Sequence, residues 1–533
     1  MASAANKYSY EEEAERNYTM LQGFEWYTPG GGHHWRWLGD NAPRFAELGI
    51  TALWLPPPTK GANTDSTGYD TYDLWDLGEF VKSGKDEDKE TRTKYGTRQE
   101  LEGAMDKLRQ NGVSLYFDAV LNHRMGADGT ETFKVQPVDD NDRSKDIGEA
   151  HDIDGWTRFD FPGRQGKYSA QKLNFNHFTG VDYDNKTGDK GVFRILGRNK
   201  DFADDVDSER GGYDYLMGAD VDHAHSEVRD DIIAWGKWVL RTFPVAGWRF
   251  DAVKHISRHF IRDFVAAVRQ EAREIRKEQG KPAIDESEGP ICFGVGEFWK
   301  DSIESCLAYL GDFGNEQFSL FDAPLHYNFK EAGDLAEGYD LRKLFDGTIV
   351  QARPIDAVTL VENHDTQAGQ ALASVVSATF KPMAYAVILL RQDGYPCVFL
   401  GDLDGCHGEG DSQPSVPPMS DLAKFIKARR FFAFGQQRDY FDHASCVGWT
   451  RGGTDTHDGC AVVLCVGGSE GKKWMEVGKK YKGTKWVDAI GWLGGDDAQV
   501  EINEDGWAEF RSPAHSVGVW VPKDSQHLAD VRK

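Results

Sequence analysis

Eight short apolar runs between residues 18 and 402 constrain this chain more than anything else in it. They are YTMLQGF (18–24), ITALWLP (50–56), VSLYFDAV (113–120), VAGWRFD (245–251), CFGVGE (292–297), FSLFDAP (318–324), AVTLVENHD (357–365) and YPCVFLGD (395–402). Continuous rather than alternating apolar character marks strands buried on both faces, as in a parallel sheet covered by helices. Helical periodicity fills several gaps. Residues 99–112 put Leu101, Met105 and Leu108 on one stripe and close on Asn111 and Gly112, a C-cap pair. Residues 226–243 open on Ser226 as N-cap and repeat Val228, Ile232, Trp235 and Val239, and residues 259–280 behave likewise. Eight strands with interleaved helices predict an α/β chain built on a (β/α)8 TIM barrel, with its active site at the C-terminal ends of the strands.

Two regions break the alternation. From about Arg124 to His225 the chain is rich in Asp, Gly, Asn and aromatics, and reads as an irregular β-rich domain inserted after strand 3. Beyond about Phe434 short strands with turn signals, such as 459–468, 498–511 and 516–522, predict a C-terminal antiparallel β-sandwich domain with a hairpin at Asp505-Gly506. The expected division is residues 1–121 and 226–434 for the barrel, 122–225 for the insertion and 435–533 for the C-terminal domain. The charged stretches 85–91 and 271–290 read as solvated insertions.

Composition narrows the partners. With 62 basic against 87 acidic residues, a net charge of −25 argues against nucleic acid and anionic membranes. Neither a secretory leader nor an apolar stretch of spanning length is visible. The seven cysteines are scattered, with no CxxC pair, so free thiols in a reducing, cytoplasmic setting are expected. A monomer is expected.

Four strand ends carry chemistry. The third run gives Asp118, Asn122 and His123; the fourth Arg249, Asp251, Lys254 and His255; the fifth Glu297 and Trp299; the seventh Asn363, His364 and Asp365. On a barrel these converge on one mouth, and clustered carboxylates are costly unless they have work to do. Arg249 and Asp251, two apart on a strand, share a face, so Asp251 is expected to stay ionised with its pKa held down. Glu297 sits among Phe293, Val295, Phe298 and Trp299, where desolvation raises its pKa and suits a proton donor. An ionised carboxylate beside a protonated one is the equipment for glycoside cleavage. Sixteen tryptophans supply flat surfaces for sugar rings.

DAVLNH, GWRFDAVKH, GVGEFW and VENHDT, in this order, resemble the four sequence regions of the alpha-amylase family of glycoside hydrolases (family 13). QGFEWY, GYDTYDLWDLGEF, KYGT, FDFPGR, YDYLMGADVD and PLHYNF resemble the liquefying bacterial type and its intracellular fungal relatives. The resemblance covers about Met20 to Pro522. It implies Asp251 as nucleophile, Glu297 as general acid/base and Asp365 as the third carboxylate, holding sugar hydroxyls. It further implies that Arg249 orients Asp251, that His123 and His364 bond the sugar at the cleavage point, that Tyr72 stacks on it, and that Gln22, Lys254, His255 and Trp299 line neighbouring subsites. The implied reaction is hydrolysis of internal α-1,4 bonds of an α-glucan with retention, through a covalent glycosyl-enzyme.

YDYLMGADVD brings Asp214, Asp220 and Asp222 together, and oxygen donors without a Cys or His cluster favour calcium. The resemblance implies Asn122, Asp214, Asp220 and the carbonyl of His255 as ligands of a structural calcium. Bacterial relatives carry Asp where this chain has Ala203 and Ala224, although Asp182, Asp204 and Asp222 remain. One calcium site is expected, not a multi-metal cluster. Neither His33-His34 nor His223/His225 has the frame of a transition-metal site. The alternatives are an α-glucan transglycosylase with the same carboxylates and, from another class, a non-catalytic glucan-binding barrel.

Overall fold

The computed structural model describes residues 16–85, 89–198, 200–284, 291–314, 316–409, 413–494 and 498–533. The N-terminal segment read for a leader (1–15), and residues 86–88 and 285–290 of the two charged stretches, lie outside the described residues. Eight parallel strands close into a barrel in chain order. They are β1 (Met20–Gln22), β2 (Ala52–Trp54), β3 (Ser114–Ala119), β4 (Gly247–Phe250), β5 (Phe293–Gly296), β6 (Ser319–Phe321), β7 (Ala357–Leu360) and β8 (Tyr395–Phe399). Each lies inside one of the eight apolar runs. Closure is made by β1, whose Met20 pairs Ala52 on one side and Cys397 on the other.

Side chains alternate across this sheet, and both faces are apolar. Met20, Trp54, Tyr116, Phe293, Phe321 and Tyr395 pack inside the barrel. Leu21, Leu53, Phe117, Trp248, Phe250 and Leu320 pack into the outer cluster that contains the helices. Burying each such side chain contributes about 1.5–3 kcal/mol, which is why no polar alternation survives in the runs. Gly247 marks a close approach within the barrel: a Cβ there would stand 2.7 Å from the carbonyl oxygen of Phe293 and 2.8 Å from the Tyr116 ring.

Helix α1 (Arg98–Gln110) opens with a capping box in which Thr97 accepts from Glu100 N–H and the Glu100 carboxylate takes the Thr97 N–H, and it closes on Asn111 as expected. Helix α2 (Ser226–Thr242) corrects one expectation: His225 is the N-cap and Ser226 the first helical residue. The Asp222 carboxylate already accepts from the N–H groups of Ala224 and His225, so the entering turn is set one residue earlier. Helix α3 (Arg258–Glu278) starts on Ser257 and matches the helical periodicity read over 259–280, so the first part of the second charged stretch is the end of that helix. No helix among the described residues is long and apolar enough to cross a membrane.

Between β3 and α2 an antiparallel sheet of six strands forms, in the order His123–Arg124, Ala219–Val221, Phe178–Tyr183, Lys190–Ile195, Gly129–Val138, His151–Arg158. After the barrel a second sheet runs Gln437–Tyr440, Cys446–Arg451, Cys460–Cys465, Ser516–Pro522, Lys485–Asp488, Gln499–Glu501, beside a separate pair, Gly471–Glu476 with Trp507–Ser512. The hairpin expected at Asp505-Gly506 is a turn only. Its flanking strands pair elsewhere, Gln499–Glu501 with Lys485–Asp488 and Trp507–Ser512 with Gly471–Glu476.

Candidate active site

Arg249 is the hub of the barrel mouth. It points inward from β4, directly opposite Asp118 of β3 in the parallel register. Its side chain is fully buried, and a charge taken out of water must be met on every side. Nη1 donates to Asp118 Oδ1 at 2.9 Å and to Asp251 Oδ1 at 2.7 Å, and Nη2 to Glu297 Oε2 at 2.6 Å. Asp118 is in turn held by Trp54 Nε1–H at 2.8 Å and the Tyr69 hydroxyl at 2.9 Å. Ala252, just past the strand, adopts φ +47° and ψ +39°, a left-handed conformation that costs an L-residue about 1 kcal/mol or more. The strain has a local use: Ala252 N–H donates to Glu297 Oε2 at 3.2 Å.

One guanidinium thus faces several carboxyl groups, and protons make up the deficit. Burial pushes Asp251 up to about 6, against the pull of Arg249. This corrects the expectation of a pKa held down: desolvation outweighs the ion pair. Burial also raises Glu297, and a hydrogen bond from its carboxyl to Asp251 lowers the one and raises the other. Asp365 is driven well above the carboxylate range by burial and by the neighbouring Glu297, to which it is hydrogen-bonded. Burial therefore works against ionisation at Asp251, Glu297 and Asp365 alike, with Arg249 opposing it at each.

Gln22 and His364 meet across the barrel, with the Gln22 amide donating to His364 Nδ1 at 2.9 Å. That fixes a neutral imidazole whose Nε2–H faces Asp365 Oδ2 at 3.4 Å; burial holds its pKa well below the usual value. His123 uses Nε2 on the Tyr69 carbonyl at 2.7 Å. Two buried acceptors at this mouth, Gln22 Oε1 and His123 Nδ1, have no partner among the described residues. A buried lone pair without a donor is costly, and a polyhydroxylated ligand supplies donors. Lys254 Nζ reaches Glu209 and the Trp299 carbonyl, both at 3.2 Å, while Trp299 Nε1–H donates to Tyr327 at 3.1 Å.

The ring beside the carboxylates is Tyr69, not Tyr72. Tyr69 stacks on His364 with centroids 4.8 Å apart and planes 5° from parallel, and lies under the Arg249 guanidinium at 5.5 Å. Trp26 lies parallel to both rings, 6.1 Å from each. Tyr72 is turned into the inserted segment: it packs on Phe159 and Phe161, and its hydroxyl bonds both oxygens of Asp128. Tyr69, Asp118 and Trp26 are the site residues that sequence reasoning missed or left without a role. The two tyrosines of GYDTYD are equivalent by composition, and only the loop's path separates them.

The oxygen-donor cluster lies in the seam between barrel and insertion. Asp214 and Asp220 are buried, hydrogen-bonded to each other and both bonded by Thr179. Asn122 Nδ2 lies 3.2 Å from Asp220 Oδ1. No Lys, Arg or His forms an ion pair with either carboxylate among the described residues, and burial pushes Asp214 up to about 7 and Asp220 well above the normal range. Two adjacent buried acids without a paired cationic side chain, in a cluster free of Cys and His side-chain ligands, fit a hard divalent cation. His255 Nδ1–H donates to the Tyr213 carbonyl at 2.7 Å, pinning the loop after β4 to this segment. Asp222 is engaged by Lys200 at 3.3 Å. Ala203 brings a backbone N–H to Asp214, and Asp182 accepts from the Tyr215 hydroxyl.

His177, His225 and Glu227 also gather, their ligand atoms within 4.8 Å of one another. His177 Nδ1 accepts the Asn174 N–H at 2.9 Å, so Nε2 carries the proton and donates to Glu227 Oε2 at 3.3 Å. The nitrogen that would face a metal is a donor, and the cluster is a hydrogen-bonded one.

A parallel barrel whose mouth gathers Asp251 and Glu297 on one guanidinium, with Asp365 and stacked rings beside them, defines a barrel-type glycoside hydrolase. Comparison with known proteins agrees. The family described as "Alpha amylase, catalytic domain" matches residues 207–489, and "Alpha-amylase C-terminal" matches 462–521. The chain is 42% identical to the glucan 1,4-alpha-maltohexaosidase of Bacillus sp. (strain 707), over 95% of this chain and 93% of that one. It is 41% identical to the alpha-amylase of Bacillus licheniformis (96% and 94%) and 40% to the cytoplasmic alpha-amylase of Escherichia coli K12 (95% and 99%). Among solved structures, an Anoxybacillus alpha-amylase superposes with a TM-score of 0.59 at 15% identity, covering 95% of this chain and 97% of that one, a likeness of fold. The chain belongs to the alpha-amylase family of glycoside hydrolases.

Proposed function

We propose that this enzyme hydrolyses internal α-1,4-glucosidic bonds of starch, glycogen and maltooligosaccharides with retention of configuration. The observation that carries the reading is the pair Asp251 and Glu297, bridged by one guanidinium and hydrogen-bonded to each other. Inverting glycosidases hold their carboxyls about 6.5–9.5 Å apart to admit a water, and a pair in contact leaves no such room. Asp251 attacks the anomeric carbon while Glu297 gives its proton to the departing glycosidic oxygen. Glu297, now ionised, takes a proton from water, which displaces Asp251 and restores both groups. Asp365 and His364 Nε2–H bond sugar hydroxyls, and Tyr69 stacks on the ring being cleaved. Gln22, His123, Lys254, His255 and Trp299 belong to the same cleft.

Asn122, Asp214, Asp220 and the His255 carbonyl would hold one calcium ion, which would neutralise the paired acids and fasten the insertion to the loop after Asp251. The relatives named above act as alpha-amylases or release maltohexaose, and the Escherichia coli relative is cytoplasmic; seven cysteines without a disulfide suit a reducing compartment here too. Soluble starch tests the reading: viscosity should fall quickly as new reducing ends appear in the α-anomeric form, and Glu297→Gln should abolish both. Transfer of glucan chains with few new reducing ends would identify a transglycosylase instead.

A further inference from the structure

Spacing suggests no pair among the seven cysteines, yet strand pairing sets two of them face to face. Cys446 opens the strand Cys446–Arg451, Cys465 closes Cys460–Cys465, and the antiparallel register places them directly opposite. The adjoining pair, Ser445 and Val466, is joined by a bond from Val466 N–H to the Ser445 carbonyl at 3.0 Å. Bonded and non-bonded pairs alternate along such a ladder, so the cysteines hold a non-bonded position, where opposite Cα atoms stand about 4.5 Å apart. A disulfide spans Cα separations of about 4.4–6.8 Å.

The sulfurs themselves converge. A Cβ on Gly471 would stand 2.9 Å from Cys446 Sγ and 3.0 Å from Cys465 Sγ, so both turn toward the same point on the neighbouring strand. Gly471 has no left-handed backbone to explain a glycine; what its missing side chain leaves is room for two sulfurs. The thiols share a hydrogen bond that, with the backbone of Gly467 and with His515, holds Cys465 down to about 6; the same bond and burial push Cys446 up. Burial drives Cys292 to about 11 and Cys306, Cys397, Cys406 and Cys460 to about 12, which leaves those thiols inert.

We propose that Cys446 and Cys465 form a modification site, a cross-strand dithiol that closes reversibly into a disulfide by exchange with a low-molecular-weight disulfide. The Cys465 thiolate attacks one sulfur of the small disulfide and expels the first small thiolate. Cys446 then loses its proton and attacks Cys465 Sγ, expelling the second. Two protein thiols are oxidised and one external disulfide is reduced to two thiols. Cys465 Sγ lies 3.3 Å from the Ser469 carbonyl and Cys446 Sγ 3.8 Å from the Lys472 carbonyl; both cysteines are buried, so exchange requires local opening of this edge.

The full-length enzyme treated with oxidised glutathione, acid-quenched, unfolded and alkylated tests this by peptide mass mapping. The expected result is loss of two of the seven alkylatable thiols, a peptide pair joining Cys446 to Cys465 and lighter by two hydrogens, and full reversal by dithiothreitol. Cys465→Ser should retain all of its remaining thiols under the same treatment. Seven alkylated cysteines after exposure, a lasting glutathione adduct on Cys465, or a cross-link between other cysteines would overturn the proposal. The wild-type map decides alone if the variant does not fold.

Discussion

Arg249 shows how one residue sets the chemistry of its neighbours. Its guanidinium serves Asp118, Asp251 and Glu297 at once, and Asp365 joins them without a cation of its own. Since Asp251 titrates at about 6, kcat/KM should fall about tenfold per unit as the pH drops below 6, which a pH–rate profile on a soluble maltooligosaccharide will show. Asp365 binds its proton more tightly folded than unfolded, so its contribution to stability falls as pH rises through the folded pKa. Asp365→Asn cannot ionise: at pH 8 its melting temperature should rise by about 1 °C or more, while kcat drops by about 10³-fold. Tyr69→Ala should cut kcat/KM by about 10²-fold, whereas Tyr72→Phe, losing only the bonds to Asp128, should cost about 1 kcal/mol of stability and leave kcat/KM nearly unchanged. The carboxylates were legible because strand-end acids after apolar runs are conspicuous. The Asp118 contact was not, because it depends on cross-strand register. The Asp251 pKa was misjudged because a sequence displays the charged partner and hides the depth of burial.

Elements were legible where one force dominates. All eight barrel strands fall in mainly apolar runs, since both faces of each are dry. The Asp505-Gly506 turn was misread as a hairpin because a turn signal is local and strand partnership is not. At Gly247 the element leaves no room: Gly247→Ala must push against the Phe293 carbonyl and the Tyr116 ring. The expected loss is about 1–3 kcal/mol in chemical denaturation, a cost that a site on the solvent side of a helix would not show.

At the scale of the molecule, barrel and insertion meet around paired acids and the His255–Tyr213 bond. Thorough chelation should lower the melting temperature by several degrees and speed proteolysis within residues 122–225; an unchanged melting temperature would remove calcium from the account. Barrel, insertion and C-terminal sheets were each foreshadowed by a change of pattern along the chain.

The closed ring has a consequence for how the protein is made. Gln22 and His364 touch although 342 residues separate them. At roughly 5–20 residues per second a ribosome needs about 20–70 s to bridge that interval. Until the eighth strand emerges, the first has one flank open and the nascent sheet offers a bare edge to any passing chain. Chaperone occupancy during translation should therefore persist until residues 395–399 have left the exit tunnel.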